Sequence, residues 1–164
     1  MKRINLIIEK IGNAVSWLNV TLIVLICLDV LFRYFFSFSK NWILELEWHM
    51  FATVFLLGSA YALQEDKHVR VDVFYQNFSE KTRAIINLLG TIVFLIPWCY
   101  LVITTSYKFA NNSWYIREGS NQPGGLPARY VMKGMIVVGF ILLAMQGVSL
   151  IIKYSNQLIR KEWK

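Results

Sequence analysis

"AVSWLNVTLIVLICLDVLFRYFF", residues 14–36, decides the fold. Its twenty-three residues carry only two charges, Asp29 and Arg33. A helix rises about 1.5 Å per residue and a bilayer's hydrocarbon is about 30 Å thick, so roughly twenty apolar residues cross it. The stretch therefore predicts a membrane-spanning helix. The residues before it, MKRINLIIEK, have the basic character of a secretory leader. The apolar run is too long for a leader's core and shows no clear small-residue cleavage site, so it reads as a retained anchor.

Three more runs have similar reach: 45–63 (ELEWHMFATVFLLGSAYAL, polar at its start), 84–107 (AIINLLGTIVFLIPWCYLVITTSY) and 131–152 (VMKGMIVVGFILLAMQGVSLII). Backbone groups in lipid must bond within their own segment, which makes helices the default. Composition agrees. The chain is 56% hydrophobic and 16% charged, against about 25% charged in soluble domains. A soluble chain this short would leave about a third of its unfolded-chain surface in water. The expected fold is an all-α membrane protein, four transmembrane helices in one domain over residues 1–164. The net charge of +7 raises nucleic acid as a partner. The basic residues, however, are scattered through gaps between apolar runs rather than gathered, so no nucleic acid is expected and the lipid bilayer is. Cys27 and Cys99 both fall inside apolar runs and form neither a disulfide framework nor a redox pair.

Basic residues favour the cytoplasmic side of a membrane. The two termini and the second gap hold eleven: Lys2, Arg3, Lys10, Lys67, Arg70, Lys81, Arg83, Lys153, Arg160, Lys161 and Lys164. The first and third gaps hold four: Lys40, Lys108, Arg117 and Arg129. Both termini and the second gap are expected in the cytoplasm. That gap, QEDKHVRVDVFYQNF (64–78), alternates as a strand would. A lone strand between helices has no partner, and a short segment at the headgroups, with Val69, Val71, Val73, Phe74 and Phe78 dipping in, fits better. Ser79 is placed to cap the next helix, with Glu80 in its first turn. The third gap, NNSWYIREGSNQPGGLPARY, should be irregular, with Trp114, Tyr115 and Tyr130 at the interface.

Charges inside spans are the sharpest clues to function. With the first span centred near Leu25, Asp29 lies about 6 Å past the midplane and Arg33 about 12 Å past it. Arg33 can snorkel outward; Asp29 cannot. Their four-residue spacing puts them on one face, and Glu45 and Glu47 open the second span at the same depth, where either could reach Arg33. A structural charge cluster joining the first two helices, an ion or proton path, and contacts to another membrane protein all remain open. His49 reads as a hydrogen-bonded packing residue. With His68 across the membrane from it, a bis-histidine haem is not expected. Gln146, deep in the fourth span, calls for a helix–helix hydrogen bond. Gly58, Ser59, Ala60, Gly134, Gly139 and Gly147 permit close helix approach, and Pro97 should kink the third span. No Ser/His/Asp set, phosphate loop or metal-ligand cluster is present in the sequence. Neither an enzyme nor a cofactor is expected.

Taken in order, these features resemble a known family. ELEWHMFATVFLLGSAYALQEDKHVRVDVF (45–74), with Glu47, Gly58 and the HVRVD stretch holding His68, Arg70 and Asp72, is similar to the small membrane subunit of tripartite ATP-independent periplasmic (TRAP) transporters. The likeness continues in EGSNQPGGLPARY, with Pro127, and in GFILLAMQG, with Gly139 and Gln146. The resemblance implies four helices in a bacterial inner membrane, a scaffold for a much larger sodium-coupled membrane subunit, and a periplasmic substrate-binding protein that delivers an organic acid. It implies that Arg70 and Asp72 fix their segment or meet the partner. The alternative is an autonomous four-helix membrane protein: a small channel, an exporter, or an anchor subunit of a redox enzyme.

Overall fold

The computed structural model describes residues 2–65 and 78–160. His68, Arg70 and Asp72, and the interfacial segment expected around them, lie outside the described residues. The described residues form helices joined by turns, with no strand among them. Helix α1 runs Lys2–Phe36, α2 Asn41–Gln64, α3 Glu80–Gly90, α4 Ile96–Tyr115 and α5 Arg129–Arg160. A π-helical turn, Thr91–Leu95, joins α3 to α4, so the two make one long rod, Glu80–Tyr115. Four rods are thus long and apolar enough to cross a membrane.

Local chemistry accounts for the breaks. Ser79 caps α3, its side chain accepting from the Thr82 N–H at 3.3 Å, with Glu80 in the first turn. Pro97 stands in the first turn of α4. Its ring lacks an N–H and crowds the carbonyl four residues back, and the helix absorbs this as a π turn just before it. Helix α4 ends in a Schellman motif. Glu118 N–H donates to the Ser113 carbonyl at 3.0 Å and Arg117 N–H to Trp114 at 3.2 Å, with Arg117 at φ 50 in the left-handed position glycine usually takes. Trp114 and Tyr115, read as loop residues, are the last two residues of α4, and Tyr130 is the second of α5.

Helix α5 is the hub and touches every other element. Helix α1 packs mainly on α2, and the third rod packs on α5. Neither α1 nor α2 has an extended contact with the third rod. The rods therefore lie in the order α1, α2, α5, third rod, an open arrangement and not a closed ring. Two small apolar clusters hold it. One joins Leu63, Ala84, Leu150 and Tyr154; the other joins Ile8, Ala60 and Leu142. Close approach depends on α5 glycines. A Cβ on Gly139 would lie 2.9 Å from the Leu56 carbonyl oxygen, and one on Gly147 3.0 Å from Leu95. Gly134 has nothing within 4 Å of that position.

Candidate functional site

Several buried polar residues of the described chain, Asp29, Glu45 and Ser113 among them, gather at the end of the molecule where α1 runs into α2 and α4 into α5. Two groups form there, and α2 contributes an acid to each.

The first lies between α1 and α2. Asp29, 3% exposed, accepts from Arg33 through its Oδ2, one turn along the same helix. Arg33 extends outward, its side chain about half exposed, as a snorkelling guanidinium should. Glu47 on α2 lies within electrostatic range of both Asp29 and Arg33. Asp29 Oδ1 and Glu47 Oε1 are buried without a hydrogen-bond partner. The pair formed on one helix thus meets an acid from the next.

The second group takes Glu45 elsewhere. Only two residues before Glu47, it points about 200° away around the helix and does not join Arg33. It is 5% exposed and clasps the α4–α5 loop. One carboxylate oxygen accepts from the Ser120 hydroxyl, the other from the Leu126 N–H at 2.6 Å. Asn41, one turn earlier on the same face, donates to the Pro123 carbonyl at 2.8 Å. Within the loop, Ser120 N–H donates to the Leu126 carbonyl at 3.1 Å and Gly125 N–H to Gln122 at 3.0 Å. Gly125 must be glycine here, because a Cβ would lie 2.8 Å from Glu45 Oε2 and closer still to Ser120.

The base of the loop is tied by Glu118. It accepts from Lys133 on α5 and from the buried Ser113 hydroxyl at 2.6 Å, while its carbonyl accepts from the Arg129 N–H at 3.0 Å. The hydrogen bond from Lys133, then that from Ser113, hold the Glu118 carboxyl below its ordinary value. Lys133 also sits over the Phe109 ring, 3.8 Å from its centroid, and Arg117 over Trp114 at 4.5 Å. His49 bonds through Nδ1 to the Glu45 carbonyl.

Gln146 lies apart from both groups. It is 2% exposed, and its Oε1 has no hydrogen-bond partner. The helix–helix hydrogen bond seen on this stretch of α5 is made by Ser149, which donates to Asn5 of α1 at 3.0 Å. Sequence reasoning missed Asn41, Ser113, Glu118, Ser120 and Lys133. The spacing of Glu45 and Asn41, one helical turn apart before an apolar run, was the available signal for a shared loop-facing side.

Chemically, the arrangement fixes a loop and joins helices. Among the described residues no group of three or more His, Cys, Asp or Glu side chains could hold a metal ion. Comparison with curated proteins returns no match. The family model for tripartite ATP-independent periplasmic transporters, DctQ component, matches residues 22–155. That span takes in the whole of α2, α3 and α4, both polar groups and the clasped loop. By that match, the chain belongs to the DctQ component family of TRAP transporters, a small subunit of a transport system.

Proposed function

We propose that the chain is a static scaffold, bracing a large sodium-coupled membrane subunit that imports an organic acid handed over by a periplasmic binding protein. It works in a bacterial inner membrane with both termini in the cytoplasm, an orientation supported by the basic residues of its termini and second gap. The clasped α4–α5 loop then faces the periplasm, where a delivery protein would meet it. On this reading Arg70 and Asp72 fix the cytoplasmic segment or contact the large subunit.

The observation that carries the proposal is how little the rods cover one another. Of each span's apolar window, 17% is buried in α1, 11% in α2, 11% in the third rod and 33% in α5. Lipid covers such faces, and a second membrane protein can replace it with shape-matched packing. An open row of helices with one shared hub offers two broad sides for that purpose. The two polar groups at the loop end, Asp29 with Arg33 and Glu47, and the Glu45 clasp, serve helix and loop joints. Asp29 and Glu47 support a structural joint between α1 and α2 in preference to an ion path, because Asp29 is already paired with Arg33 on its own helix.

Reconstitution tests the proposal. Liposomes holding this chain alone should pass sodium and organic acids no faster than empty liposomes. Coupled flux through the lone chain would overturn the scaffold reading and favour an autonomous transporter.

A further inference from the structure

The charged side chains at the loop end divide by exposure. The four acids there, Asp29, Glu45, Glu47 and Glu118, are all buried or half-buried and drawn into the helix and loop joints. Arg129 and Lys133 are half-buried beside Glu45 and Glu118. The charges left exposed are Arg33, Lys40, Lys108 and Arg117, all of them basic. With every group counted, six bases against four acids give this end a net charge of +2, and its surface shows cations alone. At the opposite end exposed acids stand beside exposed bases, Glu9 next to Lys10 and Glu80 next to Lys81. On the orientation proposed above, the preference of basic residues for the cytoplasmic side accounts for cations at the termini and not for these.

Depth separates the four. Tyr34, Phe35 and Phe36 end α1 exposed, as Trp114 and Tyr115 end α4, and such aromatic residues mark headgroup depth. Arg33 and Lys108 lie on the helices themselves, at or inside that belt. Lys40 and Arg117 lie beyond the helix ends, on its water side. Both are held in place: Lys40 Nζ stands 5.5 Å from the Phe38 centroid, and Arg117 lies over Trp114 at 4.5 Å. Asn41, the neighbour of Lys40, grips the Pro123 carbonyl at 2.8 Å, which sets Lys40 beside the tip of the clasped loop. That tip, residues 121–124, is exposed and uncharged.

We propose that Lys40, Arg117 and the clasped loop tip form a docking surface for an acidic patch on the soluble binding protein. The proposal rests on the reading that this loop faces the periplasm and a delivery protein, and adds the chemistry of the contact. The exposed charge is of one sign, so an acidic face is drawn in and meets no repulsion. The loop is already fixed by Glu45 and Asn41, so docking costs little ordering of it. The two cations stand past the aromatic belt, farther out than the lipid phosphates that Arg33 and Lys108 can reach.

Uptake by proteoliposomes holding the complex purified from its own membranes provides the test. It is measured against the concentration of the system's own soluble binding protein, added to vesicles whose loop end faces out. Lys40→Glu combined with Arg117→Glu should raise the half-saturating concentration of binding protein about tenfold and leave the maximal rate unchanged, the pattern of a weakened electrostatic encounter. Added salt should raise that concentration for the native chain and much less for the double variant. Lys40→Arg with Arg117→Lys should behave as the native chain, and so should Lys108→Glu, which changes a cation at lipid depth. A half-saturating concentration unmoved by the double charge reversal, or moved as far by Lys108→Glu, overturns the proposal and leaves the delivery reading standing. Native-chain saturation indifferent to salt overturns it whether or not the variants fold. Loss of phosphatidylglycerol retention in the double variant, with saturation unchanged, would make the patch a lipid site and also overturns it. Uptake that needs no binding protein, or needs it on the side of the termini, overturns the delivery reading and the proposal with it.

Discussion

At the residue scale, two neighbouring acids on α2 do different work because a helix turns 100° per residue. Glu47 faces Asp29 and Arg33; Glu45 faces the loop. The acidic opening of the second span was legible, but the division of labour was not. Glu45 meets Ser120 and Leu126 across 75 and 81 residues, and no local pattern encodes a pairing that forms only when α4 and α5 have closed the loop. Glu45→Ala should free that loop: amide exchange at Leu126 and Ser120 should quicken roughly tenfold or more, the effect of losing a charge-assisted hydrogen bond. Unchanged exchange would show that the loop is held by something else. Glu118 makes a pH prediction. Its carboxyl is held below the ordinary 4.5 by Lys133 and then Ser113, so its contribution is complete above the unfolded value and fades as pH falls through the lower, folded one. Fluorescence of Trp114, which ends the helix that Glu118 ties down, should therefore stay constant from pH 7 to about pH 5 and change only in stronger acid. Glu118→Gln should remove that acid step. The glycines of α5 supply an internal control. Gly139→Ala pushes a methyl against the Leu56 carbonyl and should cost about 1–3 kcal/mol in detergent unfolding. Gly134→Ala, with open space around it, should be neutral or stabilising by up to about 1 kcal/mol.

At the element scale, four rods could be read from the sequence because lipid thickness sets a minimum apolar length. Their ends could not. Helix α1 begins at Lys2 and α5 continues to Arg160, well past the expected 14–36 and 131–152. The extensions are amphipathic: Ile4, Ile8 and Ile11 recur at helical spacing and pack against Ala60 and Leu142, as Tyr154 and Leu158 pack with Leu63 and Ala84. Interspersed lysines and arginines hid that periodicity from a hydropathy reading. Pro97 was expected to disturb the third span, but the form of the disturbance depends on the whole rod. The π turn shifts the helical phase between α3 and α4, which lets Ala84 face Leu150 while Cys99, 1% exposed, still faces inward. Pro97→Ala should allow an uninterrupted α-helix and rotate α3 by about 100°. In a background without Cys27 and Cys99, a disulfide between Ala84→Cys and Leu150→Cys should form readily with Pro97 present and poorly with Pro97→Ala. Equal yields would mean that the π turn does not depend on the proline.

At the scale of the whole molecule, the order α1, α2, α5, third rod leaves much of each span uncovered by its own chain. Among the described residues the buried apolar core is small, two clusters and the further side chains Val15, Leu22, Ile43 and Cys99, and exposed aromatics such as Phe51, Phe55, Phe94 and Tyr100 line the outer faces. A molecule built this way draws much of its stability from what surrounds it. The orientation claim is checked by labelling intact cells with a membrane-impermeant thiol reagent. Asn121→Cys on the clasped loop should react directly, and Glu65→Cys at the end of α2 only after permeabilisation; the reverse pattern would turn the molecule over. The measurement closest to the central claim is purification of the tagged chain from its own membranes in mild detergent, followed by mass determination of the intact particle. A one-to-one complex with a much larger polytopic membrane subunit is expected. A stable particle containing this chain and no other membrane protein would contradict it.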